Sequence, residues 1–232
     1  MRIMAGAIEK RVGARASRPW RRLGWAVATA VLLTSGLAAR PALAARDGRW
    51  VIAGGMVIHR SVPTATLLPD GRVLIAGGDF GLDADTAEVY EPASRTFSQT
   101  GKMANRRSLF TDTLLPDGTV LVAGGYDFFS ETTTKTAELY DIEEGNWTVV
   151  DSMGEARASH VSALLPDGAV LVAGGRKLPN GSPTETAEVY DPTSQRWAYT
   201  ASMSSPRDQQ TATVLPDGRV LVVGGFDGEE VL

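Results

Sequence analysis

The chain has 232 residues, with 23 basic and 27 acidic side chains, two histidines and no cysteine. The lack of thiols excludes a disulfide framework, and two histidines are too few for the converging ligand sets that zinc and copper require. Eight basic residues but one acidic residue fall within residues 1–44, so residues 45–232 hold 15 basic and 26 acidic residues, a net charge near −11; this balance speaks against nucleic acid or an anionic membrane as partner.

In chain order the first element is a leader. Seven basic residues (Arg2, Lys10, Arg11, Arg15, Arg18, Arg21 and Arg22) precede an uncharged stretch, 23–39, and Ala42-Leu43-Ala44 supplies a small-residue cleavage signature. The pattern is that of a signal peptide over residues 1–44, with Arg21-Arg22 pointing to the twin-arginine route. It implies an extracytoplasmic protein, secreted, periplasmic or at the cell surface, with no membrane attachment once the leader is cleaved.

The next element is an aromatic-led strand, 50–56, and after it the chain repeats itself. Leu-Pro-Asp-Gly occurs at 68–71, 115–118, 165–168 and 215–218, each time followed by a short apolar run and a double glycine: Gly77-Gly78, Gly124-Gly125, Gly174-Gly175 and Gly224-Gly225. The offsets are 47, 50 and 50 residues, a period that marks one supersecondary unit repeated in space. A Met stands 12 residues before each Leu-Pro-Asp-Gly (Met56, Met103, Met153, Met203) and an Arg four after each Met (Arg60, Arg107, Arg157, Arg207). Thr-Ala-Glu-x-Tyr follows three of the double glycines, giving Glu88/Tyr90, Glu138/Tyr140 and Glu188/Tyr190, and an aromatic comes seven residues after each Tyr: Phe97, Trp147 and Trp197.

Each unit reads as four short strands. A β-branched, apolar segment and a wholly apolar run flank Pro-Asp-Gly, whose Pro presets φ and whose Gly takes positive φ, so the two form a hairpin. The run after the turn has the length and composition of a strand buried on both faces. Thr-Ala-Glu-x-Tyr forms the third strand and the aromatic-led segment the fourth. No part of the repeats has helical periodicity.

An apolar strand ending in Gly-Gly, a Tyr, six residues and a Trp resembles the kelch repeat. The resemblance covers roughly residues 50–228, and its flavour looks like bacterial secreted kelch proteins, often grouped with the galactose oxidase propeller domain. It implies an all-β, kelch-type β-propeller of four-stranded blades: about 61–103, 108–153 and 158–203, with a partial blade at 208–232. Propellers close with four to eight blades, so about three and a half imply an incomplete ring, a piece of a longer protein, and open blade edges able to self-associate. The resemblance further implies that Tyr90, Tyr140, Tyr190, Trp147 and Trp197 fill the space between blades, and that the glycines let backbones approach closely.

Chemistry is sparse. The copper centre of galactose oxidase uses a thioether-linked Cys that this chain lacks, so it does not carry over. No catalytic residue, metal site or cofactor is expected. His59 and His160 read as surface histidines near loops. Asp79, Asp83 and Asp85 lack the spacing of a calcium loop. The recurring Arg and Glu read as an ion pair or backbone cap between blades. Function is sought where the units differ, in the loops after each double glycine. Asp79, Phe80, Tyr126, Asp127, Phe128, Arg176, Lys177, Phe226 and Asp227 are the candidate binding residues, with Phe129 beside them. Aromatics next to carboxylates suit a glycan, and the same loops suit a protein. Two readings follow: an exported binding module for a glycan or protein, or a carbohydrate-active enzyme such as a sugar epimerase or galactose-oxidase-like protein.

Overall fold

The computed structural model describes residues 6–10, 50–78 and 82–232. The chain divides into two units, one spanning 6–53 and the other running from Gly54 to Leu232. A two-stranded sheet pairs β1 (Gly6–Lys10) with β2 (Trp50–Gly55); the segment expected as an outer blade strand is therefore paired with β1. Apart from residues 6–10, the expected leader lies outside the described residues.

The large unit is a succession of antiparallel sheets. Blade 1 is β3 (Thr64–Leu67), β4 (Val73–Ala76), β5 (Ala87–Glu91) and β6 (Thr96–Gln99), paired in that order. Blade 2 is β7 (Thr111–Leu114), β8 (Val120–Ala123), β11 (Ala137–Asp141) and β12 (Asn146–Val150); the loop between β8 and β11 carries a small ribbon, β9 (Tyr126–Asp127) and β10 (Thr132–Thr133). Blade 3 is β13 (Val161–Leu164), β14 (Val170–Ala173), β15 (Ala187–Asp191) and β16 (Arg196–Tyr199), and β17 (Thr211–Val214) and β18 (Val220–Val223) form the start of a fourth. The described residues contain no helix, and the sheets follow one another without closing into a ring.

Local chemistry sets each blade. In the turn between β7 and β8, Leu115 N–H donates to Thr119 C=O (2.8 Å), Gly118 N–H donates to Leu115 C=O (3.0 Å), and the Asp117 carboxylate accepts from Thr119 N–H (2.9 Å). The seven-residue spacing from Tyr to aromatic is a cross-strand register. Tyr140 stands opposite Trp147 and Tyr190 opposite Trp197, with ring centroids 4.9 and 5.1 Å apart.

The core lies in the seams between blades. Leu74 and Ala76 of blade 1 pack with Val120, Val122 and Tyr140 of blade 2; Leu121 and Ala123, from the other face of β8, pack with Val170, Val172 and Tyr190 of blade 3. One strand thus feeds two seams, because its side chains alternate. This is why its sequence is apolar throughout. The tryptophans lock the outer ends: Trp147 Nε1 donates to Gly101 C=O (2.9 Å) and Trp197 Nε1 to Asp151 C=O (3.0 Å), each across a seam.

The two full seams are not equally tight. Between blades 1 and 2, the Tyr140 hydroxyl bonds Thr100 Oγ1 (2.7 Å), and Gly101 N–H donates to Gly145 C=O (2.9 Å). A Cβ on Gly101 would lie 2.5 Å from that carbonyl oxygen, so the approach needs glycine. Between blades 2 and 3, Val150, Asp151 and Gln195 replace Thr100, Gly101 and Gly145. A cleft of about 520 Å³ opens there beside Val150, Asp151 and Gln195. The Tyr190 hydroxyl is buried without a partner, and burial, with the nearby Asp117, Asp191 and Asp151 charges, pushes its pKa up to about 12. Val150→Thr is expected to restore the missing partner and stabilise the chain by about 0.5–1.5 kcal/mol, read as a shift in the urea midpoint; an unchanged midpoint would show that the hydroxyl does not reach Tyr190.

Candidate functional site

The recurring Arg and Glu build a clamp at the start of each of the three full blades. Arg107 is fully buried; its Nη1 donates to Gly124 C=O (2.7 Å) and Thr136 C=O (3.1 Å), and its Nη2 to Glu138 Oε1 (2.5 Å). The Glu138 carboxylate also accepts from the N–H groups of Ala104 (2.7 Å) and Asn105 (3.2 Å). Arg157 and Glu188 repeat the arrangement with Gly174, Thr186, Gly154 and Glu155; Arg60 and Glu88 repeat it with Gly77, Thr86, Val57 and Ile58. Burial holds the Arg107 guanidinium below its ordinary pKa, and the Glu138 charge opposes that shift. The pair does not bridge two sheets, as one of the sequence expectations had it. It ties the incoming loop to the blade that the loop begins. The bridge to the preceding blade is made by backbone: Arg107 C=O accepts from Gly78 N–H (3.2 Å) and Arg157 C=O from Gly125 N–H (2.9 Å). Three equivalent clamps whose Arg and Glu are buried read as framework, since a ligand would find no free face on the pairs; the third adds Glu155 at 3.5 Å from Arg157.

The β4–β5, β8–β11 and β14–β15 loops lie on the same side as the loops that enter each blade, because strands one and two of a blade are antiparallel and Thr111 stands opposite Ala123. They join into one surface. Arg106 Nε donates to Leu82 C=O (3.2 Å), and its guanidinium lies 5.1 Å from the Phe129 ring centroid. Thr133 Oγ1 accepts from Leu178 N–H (2.8 Å) in the next loop. Arg176 pairs with Asp208 through two hydrogen bonds (2.5 and 2.7 Å) and lies 5.6 Å from the Phe226 ring centroid.

The candidate binding residues distribute unevenly over this surface. Asp79 and Phe80 lie outside the described residues. Tyr126 is buried beneath the surface, not on it: its backbone bridges to Ser108 in both directions (2.9 and 2.7 Å) and its ring meets Phe128 edge-on at 4.8 Å. Asp127 and Asp227 use their carboxylates to cap their own turns, on Phe129 N–H and Ser130 Oγ, and on the N–H groups of Glu229 and Glu230. Arg176 is engaged by the buried Asp208, while Lys177 is exposed. Outward apolar groups next to Arg106 include Phe129, 63% exposed, and Leu82, 58% exposed; Val231, beside Phe226, is also open. Arg106 is absent from the sequence-based candidates because it precedes a repeat position. The available signal was that His59, Ala156 and Pro206 stand at its place elsewhere, so Arg106 is not part of the repeat.

The opposite face carries a cleft of about 470 Å³ between the turns of blades 1 and 2, lined by Asp70, Asp117, Asp141 and Glu143 with Arg72 and Ile142. Its carboxylates are largely committed: Asp70 to Arg72, Asp117 to Thr119, and Asp141 to the Glu143 and Glu144 N–H groups. No group of His and carboxylate side chains among the described residues is arranged to hold a metal ion. His160 is not the surface residue expected from the sequence. It is buried in the seam between blades 2 and 3, bonding Thr111 Oγ1 through Nε2 (3.0 Å), whereas His59 is exposed.

With the blades and their Gly-Gly, Tyr and Trp positions in place, residues 114–154 and 157–204 each match the Kelch motif, overlapping blades 2 and 3. No curated protein matches the chain. The fold is that of kelch-type propeller blades, and the two matched units support a kelch-repeat protein, a class of protein-interaction module.

Proposed function

We propose that this chain is an exported protein-binding module whose partner docks on the loop surface around Phe129 and Arg106. One observation carries the reading: a phenyl ring 63% exposed with a guanidinium above it at 5.1 Å. Exposed aromatics and arginines are the residue types that dominate binding energy at protein interfaces. Arg106 preorganises the ring, and Leu82, whose carbonyl Arg106 also holds, extends the apolar area. The clamps and seams beneath hold these loops on rigid strands. The leader pattern supports export, and N-terminal sequencing of the extracytoplasmic product should begin at Ala45.

The site is tested with a random displayed peptide library selected on the full chain. Enriched peptides are expected to lose about tenfold or more in affinity with Phe129→Ala or Arg106→Ala, the cost of one strong interface contact. They should be indifferent to Glu143→Ala in the opposite cleft. Peptides insensitive to the first two replacements would refute the site. Binding on a glycan array that responds to those same replacements would instead assign the surface to a sugar ligand.

A further inference from the structure

We propose that the seam between blades 2 and 3 is a proton-sensitive joint, closed near neutral pH and opening on acidification, with His160 as its sensor.

The position recurs four times, as Pro63, Phe110, His160 and Gln210, and three of these lie between two blades. Phe110, His160 and Gln210 each stand three residues after a repeat Arg and wedge between consecutive blades. Phe110 fills its seam with a ring that belongs to the apolar core, and Gln210 donates through Nε2 to Ala173 C=O (2.9 Å). Neither titrates. His160 alone puts an ionisable group at this place in the three loops.

The imidazole is confined on two flanks, and its edge lines a cleft of about 360 Å³ with Asp112 and Gln210. A Cβ on Gly124 would lie 2.8 Å from His160 Cε1, and one on Gly175 would lie 2.8 Å from His160 Cβ, so both flanks are in contact with backbone. Nε2 is used by Thr111, and Nδ1 is buried without a partner. The charges that face the ring are the buried Arg157, from its own loop, and Arg107, from the loop that enters blade 2. Asp112, next to Thr111 on β7, bonds Thr66 in blade 1. Glu138 is committed to Arg107, and Glu188 and Glu155 to Arg157, so protonating His160 inside the closed seam would add a buried cation with no carboxylate of its own to answer it.

Burial, and then the Arg157 and Arg107 charges, depress the imidazole pKa from 6.5 to about 3. A group held neutral in the closed state contributes its full share to cohesion above about pH 6.5. That share is lost as pH falls from there towards 3, because the open state binds the proton that the closed state refuses. Within this window each pH unit shifts the balance towards opening by up to about tenfold. The outer end of the same seam is the one that lacks the Tyr–Thr bond and the Gly–Gly approach, so this joint is held less firmly than its neighbour when the sensor charges.

Hydrogen exchange read by mass spectrometry on the full chain tests the joint, with wild type and His160→Gln compared at the same pH so that intrinsic exchange chemistry cancels. The glutamine is the residue that the next seam uses. At pH 7.5 the two proteins should protect β7 and β13 equally. At pH 5 wild type should exchange there about tenfold faster than the variant, with the seam between blades 1 and 2 unchanged. Equal protection at both pH values would overturn the proposal, as would an acid-induced loss spread evenly over all blades. If His160→Gln does not fold, His160→Phe, the residue type of the first seam, gives the same comparison.

Discussion

Glu138→Ala is expected to destabilise the fold by about 3–5 kcal/mol, the cost of leaving a buried charge without its partner. The replacement strands the Arg107 guanidinium in a solvent-free site and takes the acceptor from two loop N–H groups at once, those of Ala104 and Asn105. A carboxylate at this position does more than balance charge: it fixes where the chain turns into blade 2. Removing both partners together, as Arg107→Met with Glu138→Ala, should cost less than the sum of Arg107→Met and Glu138→Ala alone, since the stranded charge is gone. Urea unfolding of the four proteins in a double-mutant cycle measures this. A loss under about 1 kcal/mol for Glu138→Ala would show that packing alone holds the loop.

The second large effect is expected at Gly124. This residue has φ +65° and marks the point where the loop into blade 3 passes under blade 2. An added Cβ would meet the Arg157 carbonyl oxygen at 2.5 Å and His160 Cε1 at 2.8 Å. The left-handed backbone and the overpacking together put Gly124→Ala at about 2–5 kcal/mol. Thermal or urea melts read it directly. Gly118→Ala at the Pro-Asp-Gly turn, where the nearest neighbour is a Pro69 ring carbon at 3.9 Å, serves as the comparison and should lose only the φ component. Equal losses at the two sites would mean that backbone conformation, not the crossing loop, makes the double glycine necessary.

Most of the blade was legible in the sequence because its determinants are local. The Pro-Asp-Gly turn, the apolar run and the Tyr-to-Trp spacing each specify contacts within one hairpin, and a period near 50 residues repeats them. The same repetition showed that Arg107 and Glu138 act together, since residues that recur in step share an environment. The candidate site was legible only in outline. Tyr126 and Phe129 are both aromatic and stand three residues apart, yet one is buried and the other open. Their difference arises from the short β9–β10 ribbon and its bridge to Ser108, which lies 18 residues away in sequence.

What the chain by itself determined was therefore the unit: four strands, their order, their turns and the faces that must be buried. Only the tertiary structure decided how one unit meets the next. It placed the Arg–Glu clamp within a blade and left the bridge between blades to backbone carbonyls. It buried His160 between two glycines and two arginines, and left Tyr190 without the partner that Tyr140 has. These outcomes depend on residues about 50 positions apart coming within a few ångströms, as Thr111 and His160 do. Periodicity and turn chemistry act over a handful of residues, so they carry no information about which side chain of one blade faces which side chain of the next.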